Sequence, residues 1–201
     1  TDLMLSGFED EFSDKEYFQI RLKLLNEMAH NLYDLTENLL NWANLNVSDI
    51  KPKKSLVSID AVIQKQKSVL SPMWMKKRLT INENIPDGLM VETDPDIIAI
   101  VLRNIISNAI KFSLKSGIID IVAGINNGLL EISISDYGIG MNPQQTANVF
   151  LGYTSTRGTD NEKGAGIGLI TCKEFIEKLG GNIQVKSEPN KGSTFRIAIP
   201  A

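Results

Sequence analysis

Residues 94–113, DPDIIAIVLRNIISNAIKFS, restrict the fold more than any other stretch. Asp94 can offer a side-chain oxygen to the free N–H groups of a first turn. Pro95 has the fixed φ and missing N–H that suit the first helical position. From there Ile97, Ile98, Val101, Leu102, Ile105, Ile106 and Ala109 recur in the helical period. A face that wide and that apolar has to be buried against a second layer. The surrounding sequence supplies strands. Residues 117–125 and 129–135 read as two, turning through Asn126-Asn127-Gly128, and residues 182–188 and 193–199 as two more. SLVSI and RLTINEN (78–84) also read as strands, with one helix over about 60–76 between them. Short helices are expected at 143–150 and from the glycine run to about 179. Helices and strands alternate without strict βαβ order. This predicts an α+β fold, a two-layer α/β sandwich in which a mixed sheet carries its helices on one face.

The first fifty residues follow another period. Phe18, Leu25, Leu32 and Leu39 recur every seven residues, with Met28, Leu35 and Trp42 three further on and Leu22, Ala29 and Ala43 widening the stripe. Such a stripe calls for another helix. A hairpin pairing with a second copy would cover it; so would the following domain. Lys51-Pro52-Lys53-Lys54 interrupts the pattern, so the chain divides into a helical unit over 1–50, a linker at 51–54 and a domain over 55–201. Charge divides the same way. Residues 1–50 hold ten acidic and three basic side chains, and the rest hold fourteen and eighteen. The net charge of −3 argues against nucleic acid as the main partner. No run of eighteen apolar residues exists, so this part of the protein is not expected to contact a membrane. The N-terminus lacks a basic n-region and long apolar h-region, and reads as a cut through a longer protein. A single cysteine, Cys172, excludes an internal disulfide and fits the cytoplasm; with a single histidine it also argues against zinc.

Four short stretches carry polar chemistry. Asn104 and Asn108 share a helix face, with Lys111 three residues beyond. Neutral amide oxygens and an ammonium suit a phosphate–Mg²⁺ group, although the same pattern alone fits a solvated helix edge. In SDYGIGM, Asp136 ends an alternating apolar run and Gly138 and Gly140 follow it. A half-buried carboxylate can accept from an exocyclic amine such as that of adenine, and glycines would let the backbone approach a flat ring. Alone, this is equally a turn with an exposed acid. EKGAGIGL places Gly164, Gly166 and Gly168 before a helix start, where backbone N–H groups can hold phosphate oxygens. It has neither dinucleotide-fingerprint nor P-loop spacing. KGSTF places Gly192 and Thr194 at the start of the last strand, an ordinary hairpin signal on its own.

Taken in order, NIISNAIKFS, SDYGIGM, GAGIGL and KGSTF resemble the N box and three glycine boxes of the ATP-binding domain of sensor histidine kinases. That domain belongs to the superfamily of gyrase, MutL and the large heat-shock chaperones. The resemblance covers about residues 55–200, and NLLNWANLNVSDIKPK resembles the second helix of the family's dimerisation hairpin with its linker. It implies a Bergerat-type sandwich, preceded by a long helix, that binds ATP and Mg²⁺. It also implies transfer of the γ-phosphoryl group to a histidine, for relay to an aspartate of a response-regulator receiver domain. By resemblance Asn108 would be the Mg²⁺ ligand, Asn104 would face the triphosphate and Lys111 would reach a phosphate, these three being the catalytic set. Phe112 would border the nucleotide. Asp136 would accept from adenine, with Gly138, Gly140 and Met141 shaping the pocket. Gly164, Gly166 and Gly168 would hinge a lid over the nucleotide, Leu169 would pack near it, and Thr194 would support Asp136 or a nearby water. Phe150 matches the start of the family's F box, and Tyr153 is a candidate for its second aromatic. Superfamily hydrolases carry a glutamate where this chain has Asn104, which favours transfer over hydrolysis. His30 lacks the following acid and the nearby proline of the family's acceptor, so no phosphoacceptor is expected in this chain. A second copy would pair through the hairpin of the intact protein. The alternatives are a nucleotide-binding scaffold without phosphotransfer and a serine-directed kinase of the same superfamily.

Overall fold

A computed structural model of the chain describes residues 17–22, 24, 25, 28, 36, 52–151, 158–160 and 166–201. Its centre is a five-stranded mixed sheet. Strand β2 (Thr80–Asn84) runs parallel to β4 (Ile118–Asn126). Strand β4 pairs antiparallel with β5 (Leu129–Asp136), β5 with β7 (Gly192–Pro200), and β7 with β6 (Asn182–Glu188). A small second sheet joins β1 (Ser55–Ser58) to β3 (Met90–Thr93), antiparallel. Among the described residues from 52 onward, five helices accompany the sheets: α1 (Ile59–Val69), α2 (Ser71–Lys76), α3 (Pro95–Phe112), α4 (Pro143–Asn148) and α5 (Gly168–Lys178).

The expected helix at 94–113 is α3. Asp94 Oδ1 accepts from the N–H groups of Asp96 (3.0 Å) and Ile97 (3.1 Å), and Pro95 opens the first turn. Ile98, Val101, Leu102, Ile105 and Ile106 are fully buried. At about 1.5–3 kcal/mol for each such side chain, this one face anchors the helix layer. Its counterpart is the inner face of the sheet. In β5, Leu130, Ile132 and Ile134 are buried while Glu131, Ser133 and Ser135 alternate with them, the two-residue period of a strand with one wet face. The β4–β5 turn uses Asn127 and Gly128, both with φ > 0, as a two-residue hairpin matching strand twist requires.

Two expectations need correction. The single helix over 60–76 is two helices. Pro72 has no N–H to donate and its ring obstructs the preceding turn, so the chain breaks at Leu70 and restarts at Ser71. The hydroxyl of Ser71 then donates to the Ser68 carbonyl at 2.7 Å. Strand β3 was not anticipated. It has four residues, and it exists because Val91 meets Val57 across the small sheet, both buried.

Towards the N-terminus, residues 17–22 are helical, as the heptad pattern requires. Phe18, Leu22, Leu25 and Met28 are 51%, 49%, 44% and 61% exposed, so among the described residues this part of the stripe has no cover. Its continuation through Leu32, Leu35, Leu39 and Trp42, and His30 with it, lies outside the described residues. Among the described residues no helix is long and apolar enough to cross a membrane.

Candidate functional site

Helix α3 carries the first group of site residues along one edge. Asn104 donates from Nδ2 to the Ile100 carbonyl at 3.0 Å. Its Oδ1 lies so close to Gly168, the first residue of α5, that a Cβ at 168 would collide with it. The asparagine face is thus set directly beside the start of α5, whose free N–H groups carry the positive end of that helix. Asn108 is half-buried, and its amide makes no hydrogen bond among the described residues. One turn on, the Lys111 ammonium lies 4.9 Å from the centroid of the Phe112 ring. Cys172, one turn into α5, is fully buried with Sγ 3.9 Å from the Val101 carbonyl, and burial raises its thiol pKa. It packs α5 against α3.

Asp136 closes the second side. It continues the buried row of Leu130, Ile132 and Ile134, so a carboxylate occupies a core-facing position and is 4% exposed. Burial raises its pKa from 3.8 to about 6, opposed by hydrogen bonds from the N–H groups of Gly138 and Ser193. The Gly138 N–H reaches Oδ1 at 3.0 Å.

The two glycines after Asp136 have a nearer cause than a bound ring. A Cβ on Gly138 would strike the Phe112 carbonyl oxygen, and one on Gly140 would strike that of Glu188. Gly140 also has φ +62°, so both positions exclude side chains on internal grounds. They let the loop wedge between the end of α3 and the β6–β7 turn. Ile139 N–H donates to the Phe112 carbonyl (3.2 Å), Asn190 N–H to the Ile139 carbonyl (2.8 Å), and Met141 N–H to Ser187 Oγ (2.8 Å). Met141 and Leu169 are partly buried against the core, as is Phe150, whose ring meets Phe195 edge-on at 6.4 Å.

The expected support of Asp136 by Thr194 is not what the register provides. Thr194 pairs with Ser135 and its hydroxyl lies 2.9 Å from Ser135 Oγ, on the outer face of the sheet. Ser193 pairs with Asp136, is 7% exposed, and has its hydroxyl 2.9 Å from Ser187 Oγ. A strand alternates its faces, so only one of the two residues can stand beside Asp136, and it is Ser193. The sequence signal was present, since Ser193 sits in phase with buried Phe195, Ile197 and Ile199. Gly166 precedes α5 with φ +74°. Gly164 and Tyr153 lie outside the described residues.

These residues form one edge of the sandwich. It holds neutral amide oxygens and an ammonium on α3, a helix N-terminus beside them, and a buried carboxylate at the end of β5. An uncharged cleft wall would not need a desolvated acid. The donor set fits an adenine nucleotide with its metal. Such a sandwich and such a site define an ATP-binding catalytic domain of the sensor histidine kinase type. The family model of histidine kinase-, DNA gyrase B- and HSP90-like ATPases matches residues 93–201, over half of the chain, and the chain belongs to that family. The adaptive-response sensory kinase SasA of Prochlorococcus marinus is 36% identical over 134 residues, covering 65% of this chain and 35% of SasA. Full-length ShkA in complex with AMPPNP superposes with a TM-score of 0.74 at 25% identity, covering 90% of this chain and 38% of ShkA. The histidine kinase ThkA, in complex with the response regulator protein TrrA, shares the fold with a TM-score of 0.72 at 18% identity, covering 93% of this chain and 52% of ThkA. The chain spans less than half the length of the curated relatives it matches.

Proposed function

We propose that this chain is the catalytic part of a two-component sensor histidine kinase, which transfers the γ-phosphoryl group of ATP to a histidine for relay to a response-regulator aspartate. The observation that carries this reading is Asp136, a buried carboxylate at a core-facing strand end, held by two backbone N–H groups beside the asparagine helix. Adenine's exocyclic amine gives that acid a donor it lacks. Ser193, rather than Thr194, steadies it, and Gly138, Gly140 and Met141 fix the loop beneath.

Asn108 would hold Mg²⁺ through its amide oxygen. Asn104 would face the triphosphate shell, Lys111 would reach a phosphate, and Gly166, Gly168 and Leu169 would lie along it at the start of α5. When bound, the metal neutralises charge on the phosphoryl oxygens. Phosphoryl transfer is mostly positioning and charge neutralisation, so the residues that bind are also those that catalyse. No general base stands at Asn104, which favours transfer to a protein side chain over hydrolysis. A receiver domain is the expected downstream partner, in keeping with the ThkA–TrrA complex. The exposed stripe of Phe18, Leu22, Leu25 and Met28 is the expected seam with a second copy. The test is labelling of the full-length protein with γ-labelled ATP and Mg²⁺. The reading requires acid-labile, alkali-stable phosphohistidine that chases to a receiver aspartate. Nucleotide binding with no label on any histidine would favour the scaffold alternative.

A further inference from the structure

The C-terminal end of α3 has four carbonyls with no partner inside the helix. Ser113 satisfies that of Ala109 with its N–H (3.0 Å) and its hydroxyl (2.7 Å). The others are met by distant segments. Ile139 N–H donates to Phe112 O, as described above. Lys77, in the turn between α2 and β2, sends its ammonium to Ile110 O (3.0 Å), Lys111 O (2.7 Å) and Thr159 Oγ1 (2.7 Å). Thr159 joins the same knot, with its N–H 3.1 Å from Lys111 O and its hydroxyl 3.1 Å from Lys111 O and 2.7 Å from Ser113 O.

Lys77 is 2% exposed. An ammonium taken from water is costly unless its donors are satisfied. Among the described residues its ammonium has three acceptors, two of them carbonyls at the negative end of a helix dipole. An exposed helix end could be capped by water or a glycine turn at far lower cost. What this arrangement adds is a fixed position for Lys111, whose carbonyl takes donors from both Lys77 and Thr159.

We infer that Lys77, acting with Thr159, is a positioning residue for phosphate recognition: the buried ammonium fixes the last turn of α3 and thereby the stance of Lys111. The inference rests on the nucleotide-site reading above. It places the consequence on the phosphate end of the ligand, not on the base.

The test is calorimetric titration of the full chain with ATP–Mg²⁺, and separately with adenosine by competition. It compares wild type, Lys77→Met, Thr159→Val and the double variant, with Tm recorded for each. Losing a charge-assisted contact should weaken ATP binding about tenfold in each single variant. The double variant should be no weaker than Lys77→Met, because both act through one knot. Adenosine affinity should be unchanged. Should Lys77→Met fail to fold, Thr159→Val, which exchanges the hydroxyl for a methyl group and keeps the backbone N–H, carries the comparison. A lower Tm with unaltered ATP affinity would make Lys77 a structural staple and overturn this inference while leaving the site reading intact. Equal losses for ATP and adenosine would also overturn it. Failure of the wild type to bind ATP would remove the site reading and this inference together.

Discussion

Asp136→Asn should stabilise the protein while impairing its function, and the pH dependence of the stabilisation is diagnostic. The wild-type carboxyl ionises near pH 6 when folded and near 3.8 when unfolded. Its contribution to stability is therefore greatest below pH 3.8, falls as pH rises from 3.8 to about 6, and stays low above that. At about 1.4 kcal/mol per pH unit, the interval corresponds to about 3 kcal/mol. Asn resembles the protonated acid in shape and charge, so the variant avoids that loss. Near pH 4 the two proteins should differ little; at pH 7.5 the variant should be more stable by about 3 kcal/mol, a rise of several degrees in Tm. The loop geometry should survive, since an amide oxygen can still accept from Gly138 N–H. Nucleotide binding should respond in the opposite sense. Wild-type ATP affinity should decline as pH falls through 6, and the variant should bind about tenfold or more weakly at neutral pH. Urea denaturation of both proteins from pH 4 to 7.5, with calorimetry for ATP, provides both readouts. A stability difference that stays flat across that range would refute the claim that a desolvated carboxylate sits at this strand end.

Other outcomes follow from separate contacts. Gly140→Ala places a Cβ against the Glu188 carbonyl at φ +62°, and should cost about 2 kcal/mol or more by thermal or chemical denaturation. Asn108→Ala should remove the dependence of ATP affinity on Mg²⁺ while leaving Tm within a degree or two of wild type, measured by titration with and without EDTA. Cys172, fully buried with a raised thiol pKa, should resist Ellman's reagent in the native protein and react once it is unfolded in urea.

The parts legible in the sequence were those with long periods and local causes. Asp94-Pro95 announced α3, and its apolar face called for a sheet. Asn126-Asn127-Gly128 marked a turn, which the structure narrows to Asn127-Gly128, and alternation marked β4 to β7. Local signals failed where tertiary contacts decided. Strand β3 is too short to show a period and exists through Val57. Pro72 lay within an otherwise continuous helical pattern whose break it imposes. At the candidate site, residue types and order drew attention to segments whose local geometry has partly different causes. Gly138 and Gly140 answer to protein carbonyls that no local reading could place. Thr194 drew notice by its hydroxyl, whereas register assigns the inner position to Ser193. Lys77 was invisible among MKKR, because nothing in three successive cationic side chains tells which of them turns inward onto a helix end 33 residues further along the chain.

In the proposed site Asp136, Asn108 and Lys111 would surround one adenine nucleotide with its metal. Isothermal titration of the full chain at pH 7.5 with ATP and Mg²⁺ tests it most directly. Saturable binding at one site per chain is expected, weakening when Asp136 is replaced by Asn and when Mg²⁺ is withdrawn. Absence of heat and of thermal stabilisation at millimolar ATP, or binding indifferent to both changes, would contradict it.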